Sequence, residues 1–376
     1  MRLLLLNYEY PPIGGGASYA TRDLARLFAA RGAQVTVVTS HFRGQPLLQR
    51  SDGVTVWRLP ALRRHQGRSG VVQMAAYLLA ALPVVLAHCL RRRPHAILSF
   101  FLVPTGLLGA LAARLFGVPH VISLRGGDVP SFTPAETAGV FRLVMPFARW
   151  AGRGAGGIFA VSEDLAAMAR ADFPSLAGKI SCIPNGVQPM AQPQPRPGPV
   201  RFLFAGRLSV QKNLPFVLAA LARVQGPFHL DIAGEGPLRA ELEALVRRLG
   251  LAGKVTFHGW LSHDEVFALM RRDHALLLCS RAEGMSMAAL QALAHGMPVV
   301  GLRTPGLRSF IEEGRTGFLL DPDDEDGLAA LLQRLADDPA LATDLAPHCL
   351  QTVSERYNVT RSAERYLEVF RSLSRP

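Results

Sequence analysis

Short apolar runs recur along this chain at the spacing of one strand plus one helix, and they form two series. "RLLLLN", "QVTVVTS", "VTVWRL", "AILSFF", "HVISLR", "GIFAVS" and "ISCIPN" fill the first half; "VRFLFAG", "FHLDIAG", "VTFHGW", "ALLLCS" and "PVVGL" fill the second. Strands so uniformly rich in Val, Ile and Leu must be covered on both faces, the condition of a parallel sheet whose crossovers are helices. The pattern predicts an α/β fold with two doubly wound, Rossmann-like domains, expected to face each other across a cleft. The length of 376 residues agrees, because single cores stop growing near ~250–300 residues. "QPMAQPQPRPGP", residues 188–199, carries five prolines and neither period, so it reads as a linker. The expected divisions are therefore 1–187, the linker 188–199, 200–355, and a C-terminal helix at 356–376. In that helix Ala363, Tyr366, Leu367, Phe370 and Leu373 form a stripe expected to pack back on the first domain.

The net charge of +12 is one-sided. Twenty basic and eight acidic side chains lie within residues 1–190, against twenty-one of each afterwards. Arginines cluster in "LRRHQGR" at 62–68 and "LRRRP" at 90–94. The first domain is thus expected to meet something anionic: a phospholipid surface, a phosphorylated acceptor or a nucleic acid. Cys89, Cys182, Cys279 and Cys349 make no CxxC pair, which argues against a disulfide framework or a zinc site and fits a reducing, cytoplasmic setting. No cleavage-site pattern follows "RLLLLN". "VVQMAAYLLAALPVVLAHCL", residues 71–90, is uncharged and has the ~20-residue length of a membrane span. Gln73, His88 and the central Pro83 favour a buried or membrane-surface helix instead.

The chemistry concentrates in "EGMSMAALQALAHGMPVV", residues 283–300. Ser286 suits an N-cap, Met287 to His295 a short helix and Gly296 its C′ position. That helix would open at the carboxyl edge of a parallel sheet, where its unpaired N–H groups favour phosphate. Glu283 beside such a site would repel the phosphate, so its expected task is to accept hydrogen bonds from sugar hydroxyls. Gln291 would reach another part of the same elongated ligand, such as a ribose.

The Glu283 to Gln291 spacing followed by Gly-x-Pro-Val-Val resembles the signature of the family-4 retaining glycosyltransferases of the GT-B fold. "PPIGGGASYATRDLARLFAARG" resembles the family's glycine loop, "GRLSVQKN" at 206–213 its basic phosphate motif, and "IPNGV" at 183–187 a further family segment. The resemblance runs over essentially the whole chain. It implies that Arg207 and Lys212 hold the donor diphosphate, that Glu283 contacts the donor sugar and that Gln291 takes the ribose position. Gly15, Gly16, Gly206, Asn185, Gly284, Met285, Ser286 and Met287 are the other positions implied for donor binding. Gln291 departs from the family Glu, giving up charge-assisted bonds at a cost of ~1 kcal/mol. "ISLRGGDVP" at 122–130 has Arg125 where many relatives have His; Arg125 would touch the sugar or an acceptor phosphate, and Asp128 would accept from the acceptor hydroxyl. The competing reading is a structural Arg125–Asp128 ion pair.

"DPDDEDG" at 321–327 resembles a metal site, but it precedes a helical run and is expected to cap it. The histidines show no ligand spacing, and no GxGxxG follows a strand. Together these readings predict a metal-independent glycosyltransferase with no cofactor beyond a nucleoside-diphosphate sugar, expected to be UDP-linked. It would act on a lipid-linked or polysaccharide hydroxyl at the inner face of the membrane, in peripheral contact with anionic lipid and without nucleic acid. A sugar-nucleotide epimerase of the same fold would act without an acceptor. A non-catalytic binder of anionic lipid or nucleic acid would leave Glu283, Arg207 and Lys212 idle.

Overall fold

The computed structural model describes residues 1–63, 65–67, 69–132 and 138–374. Arg64 and Arg68 of the first basic cluster lie outside the described residues. The chain divides into two units, Met1–Gly186 with Val359–Pro376, and Val187–Asn358.

The first unit holds β1 (Arg2–Leu6), β2 (Gln34–Ser40), β3 (Leu48–Ser51), β4 (Val54–Leu59), β5 (Ala96–Phe100), β6 (His120–Leu124), β7 (Gly157–Ala160) and β8 (Ile180–Cys182). They form one sheet in the order β3-β4-β2-β1-β5-β6-β7-β8. Every pairing is parallel except β3 with β4. The chain leaves β1 in one direction and resumes at β5 in the other, so the strand order reverses between β1 and β5. Doubly wound sheets bind ligands at such a reversal, beyond the carboxyl ends of the strands.

In the second unit β9 (Val200–Ala205), β10 (Phe228–Ala233), β11 (Val255–Gly259), β12 (Ala275–Leu278), β13 (Val299–Leu302) and β14 (Gly317–Leu320) pair in the order β11-β10-β9-β12-β13-β14. All these pairings are parallel. Here the reversal falls between β9 and β12. Each unit has its own core, one built on Leu3–Leu6, Val35, Val37 and Ile97, the other on Phe202, Phe204, Leu230, Ile232 and Leu277.

Two strands go beyond the twelve expected from the pattern. The edge strand β3 is too polar to carry an apolar run, and its signal is the turn instead. Asp52 and Gly53 both have positive φ, 52° and 74°, as a two-residue type I′ hairpin requires. β14 is an edge strand whose alternate residues Phe318 and Leu320 are only partly buried, so it departs from the pattern of strands covered on both faces.

The segment 188–199 is not a free linker. It belongs to the second unit, where the buried guanidinium of Arg196 donates to the carbonyls of Met270, His295 and Gly296 at 3.2, 2.8 and 2.9 Å. Those carbonyls lie at the ends of two helices, where main-chain oxygens lack helical partners, so a buried arginine suits them as a donor. At the other end, the helix Val359–Leu373 belongs to the first unit. Its buried Ala363, Tyr366, Leu367 and Phe370 join that unit's core, with Phe370 edge-on to Phe28 at 5.8 Å between ring centres. A buried side chain of this size contributes about 1.5–3 kcal/mol, which makes the C-terminal helix part of the first unit's stability.

His120, at the start of β6, is fully enclosed; its Nε2 meets Ser99 Oγ at 2.9 Å. Burial pushes the imidazole pKa down to about 3. Between about 3 and the ordinary value near 6.5 the unfolded chain binds a proton that the folded chain refuses, so stability is full above 6.5 and falls as the pH drops through that window. The expected slope from this residue is about 1.4 kcal/mol per pH unit. Denaturant titrations at pH 7 and pH 5 should show it, and His120→Gln should flatten the difference.

Candidate functional site

The second unit's strand-order reversal lies between the loop after β9 and the loop after β12, and these two loops are tied together. Gln211 accepts from the Arg281 N–H at 2.9 Å through its carbonyl and donates to the Ala282 carbonyl at 2.9 Å through Nε2. Lys212 Nζ then reaches Glu283 Oε1 at 2.5 Å. Two residues 71 positions apart are thus brought into one ion pair at the edge where such sheets hold ligands. Glu283 is only 8% exposed. A carboxylate so enclosed would cost several kcal/mol without its cation.

Arg207 is exposed, and among the described residues it makes no hydrogen bond or ion pair. The same loop therefore presents one cation held by a carboxylate and one uncommitted. Asn213, at φ 54°, ends the loop and starts the helix Leu214–Leu221.

Close backbone approach holds this arrangement. Gly206 N donates to Ala233 O and Leu208 N to Glu235 O, both at 3.0 Å, joining the loop after β9 to the loop after β10. A Cβ at Gly234 or Gly236 would run into the main chain of Gly206 or Leu208. Gly306, at φ 89°, leaves no room for a Cβ beside the carbonyls of Glu283 and Gly284. Gln211, Gly234, Gly236 and Gly306 are not among the expected site residues. The G-x-G of "AGEGPL" directly after a strand was the available signal for two of them.

The segment Glu283, Gly284, Met285, Ser286, Met287 is buried throughout. Ser286 caps the helix Met287–Ala294, its side chain accepting from the Ala289 N–H at 3.4 Å, and Gly296 follows at φ 66°. Gln291 sits inside that helix, with its Nε2 3.1 Å from His263 Nε2. Its carbonyl accepts from His295 Nδ1 at 2.7 Å. The ring of Phe267 stands 4.4 Å from His263 and 4.5 Å from His295, closing the cluster. Gln291 is thus already held by a histidine from the helix His263–Arg272.

Gly15, Gly16, Arg125, Asp128 and Asn185 lie in the first unit. Gly15 is the N-cap of the helix Gly16–Ala30, whose first turn carries no acid, and nothing stands where a Gly15 side chain would project. Gly14, at φ 89°, is the glycine the turn requires, since a Cβ there would strike Glu9.

Arg125 and Asp128 do not form the ion pair considered for them. Asp128 Oδ1 accepts from the main-chain N–H groups of Arg125 and Gly126, both at 3.0 Å, and Oδ2 from that of Leu102 at 2.9 Å. It therefore fastens the loop after β6 to the loop after β5. Burial raises its carboxyl above the ordinary value, and these amides draw it partly back. With both oxygens so engaged, Asp128 is a positioning residue for Arg125. The Arg125 guanidinium turns instead to Asn185 Oδ1 and lies 4.7 Å from the Phe100 ring centre. Burial lowers its pKa, and among the described residues its Nε has no hydrogen-bond partner. Asn185, implied for donor binding, is thus the hydrogen-bond partner of Arg125.

The acidic run at 321–327 caps a helix: Asp324 Oδ1 accepts from Gly327 N at 2.8 Å, ahead of Glu325–Asp337. Among the described residues no three His, Cys, Asp or Glu side chains converge as metal ligands.

The family described as "Glycosyl transferase 4-like domain" matches residues 15–186, and "Glycosyl transferases group 1" matches 189–348. A D-inositol 3-phosphate glycosyltransferase of an Arthrobacter species is 30% identical over 90% of this chain and 86% of its own. The chain belongs to the group 1 glycosyl transferases. Its fold is GT-B: sucrose-phosphate synthase of Thermosynechococcus elongatus superposes with a TM-score of 0.85 at 22% identity, covering 99% of each chain. HepE of Anabaena, solved with UDP-glucose, gives 0.77 at 20% identity over 99% of this chain and 100% of its own. This group 1 enzyme is a glycosyltransferase.

Proposed function

We propose that this glycosyltransferase moves a hexose from a UDP-linked donor to a hydroxyl of a lipid-linked or polysaccharide acceptor, with retention at the anomeric carbon and without a metal ion or cofactor. The observation that carries the reading is the Lys212–Glu283 pair at the strand-order reversal, with exposed Arg207 on the same loop. The UDP-glucose held by the similar HepE supports the choice of donor.

In this reading the second unit binds the nucleotide and the first, which has the basic excess, binds the acceptor. Arg207 and Lys212 lie against the pyrophosphate. As the bond from the anomeric carbon to the β-phosphate oxygen breaks, negative charge grows on that oxygen, and the two cations stabilise it where it develops. Glu283, held in place by Lys212, accepts from hydroxyls of the sugar. The acceptor oxygen bonds to the same face of the anomeric carbon, and its proton passes to the departing phosphate. Asp128 acts indirectly, by fixing Arg125 for the sugar or an acceptor phosphate. Gln291 reaches the ribose as an uncharged partner once His263 yields it.

A thermal-shift screen of nucleoside diphosphates and their sugars is the first test, because a ligand specific for the folded chain raises its apparent stability. At 100 Kd the expected gain is about 2.7 kcal/mol for UDP or a UDP-sugar. Proton NMR of the product then reads its anomeric configuration. No shift with any of these ligands, or an inverted product, would overturn the reading. Gln291→Glu should change UDP affinity by no more than about tenfold, equivalent to ~1.4 kcal/mol; a larger loss would mean that this position does not serve the ribose.

A further inference from the structure

Among the described residues, Val71–Arg92 is the one helix long and apolar enough to cross a membrane, yet one side of it is left outside the core. Tyr77, Ala81, Val85 and Cys89, four residues apart, pack into the first unit's core. On the opposite side Val72, Ala75, Leu79, Pro83 and Leu90 are exposed, Leu79 at 75%. A helix serving only the core would carry polar residues there.

Two neighbours extend this surface. The helix Thr105–Phe116 packs between Val71–Arg92 and Ala138–Gly154. It exposes Leu115, while the last helix exposes Leu143 at 74% and Phe147 at 57%, with Trp150 one turn further on the same side. Large apolar side chains exposed on three adjacent helices exceed the scattered singles normal for a soluble surface.

Charge identifies what would cover it. Arg91, Arg92, Arg93, Arg114, Arg149 and Arg153 are exposed at the ends and flanks of these helices. No Asp or Glu occurs anywhere in residues 53–127, nor in the helix Ala138–Gly154. A protein partner of ordinary composition would not call for so complete an exclusion of acids. An apolar face with arginines at its rim and no acid on its three helices fits a surface that is apolar within and anionic at its boundary.

We infer that this three-helix face of the first unit docks on an anionic lipid bilayer, with Val71–Arg92 lying in the interfacial plane, Leu79 and Phe147 entering the acyl boundary and the arginines meeting headgroup phosphates. This goes beyond the transfer reaction, since such docking requires neither donor nor acceptor. Each arginine near an anionic surface is worth roughly fivefold in partitioning.

The test is co-sedimentation of the full chain with phosphatidylcholine vesicles with and without phosphatidylglycerol, at low and high salt. Binding should require phosphatidylglycerol and weaken with salt. Arg91→Gln with Arg92→Gln should lower it roughly 25-fold, and Leu79→Asp should lower it as well. UDP binding should be unchanged in each. In a Trp57→Phe, Trp260→Phe background the remaining Trp150 emission should shift to the blue on anionic vesicles. If Leu79→Asp fails to fold, the double arginine variant, altered only at exposed positions, decides. Equal binding to both vesicle types, no binding to either, or unchanged binding by the arginine variant would overturn the inference. Self-association that Leu79→Asp abolishes would overturn it too, by making a second copy of the chain the occupant.

Discussion

Lys212→Ala is expected to lower kcat/KM for the nucleotide-sugar donor by about 10²–10³, the range for loss of one preorganised group facing developing charge. Two effects add. The leaving pyrophosphate loses a cation, and Glu283 is left almost enclosed with no counter-charge. Lys212→Arg keeps the charge on a planar, longer group and should recover only part of the rate. Glu283→Gln keeps the shape and removes the charge, so Lys212 would be free to move while the sugar hydroxyls lose their ionic acceptor. Because the two side chains touch, the double variant should fall well short of the sum of the single losses. Steady-state kinetics on the four proteins of this cycle checks the claim; additive losses would mean that the pair does not act as a unit.

Asp128→Ala should cost the first unit about 3–5 kcal/mol, because the main-chain N–H groups of Leu102, Arg125 and Gly126 all lose their acceptor. For a unit of this size that corresponds to a fall in Tm of roughly 10 °C. Asp128→Asn retains one oxygen but turns an NH2 toward a main-chain donor, so it should recover little. Activity should fall in both at temperatures where the protein remains folded, as the Arg125 main chain loses its tether. Calorimetry on the purified variants gives the stability term directly. A loss below about 1 kcal/mol would show that water replaces the carboxylate, and the clamp would not be what places Arg125.

The distribution of apolar residues predicted the fold well, for a physical reason. Buried parallel strands must be apolar on both faces, so "RLLLLN" and "ALLLCS" carry their position in composition alone. β3 escaped that pattern because an antiparallel edge strand need not be apolar, and its Asp52-Gly53 turn was the readable sign. Arg196 shows the limit of composition in the other direction: prolines marked 188–199 as irregular, but irregular chain can still be anchored through one buried side chain.

The site was legible as motifs and illegible as contacts. Glu283, Lys212 and Arg207 stood out by resemblance, yet no spacing announces that Lys212 and Glu283 touch, since strand order brings them together. Asp128 looked like a chemical group, and its geometry makes it a fastener of two loops. Gln291 looked like an isolated departure from the family Glu; the structure pairs it with His263, 28 residues earlier. In each case the missing information was a long-range hydrogen bond, set by topology and not by local sequence.

The account rests on a pyrophosphate held by the loop after β9, and calorimetric titration of UDP against uridine measures this most directly. UDP should bind far more tightly than uridine, and Arg207→Ala should remove most of that difference while leaving uridine affinity unchanged. Equal affinities for UDP and uridine in the parent protein, or an undiminished preference for UDP in Arg207→Ala, would contradict the assignment.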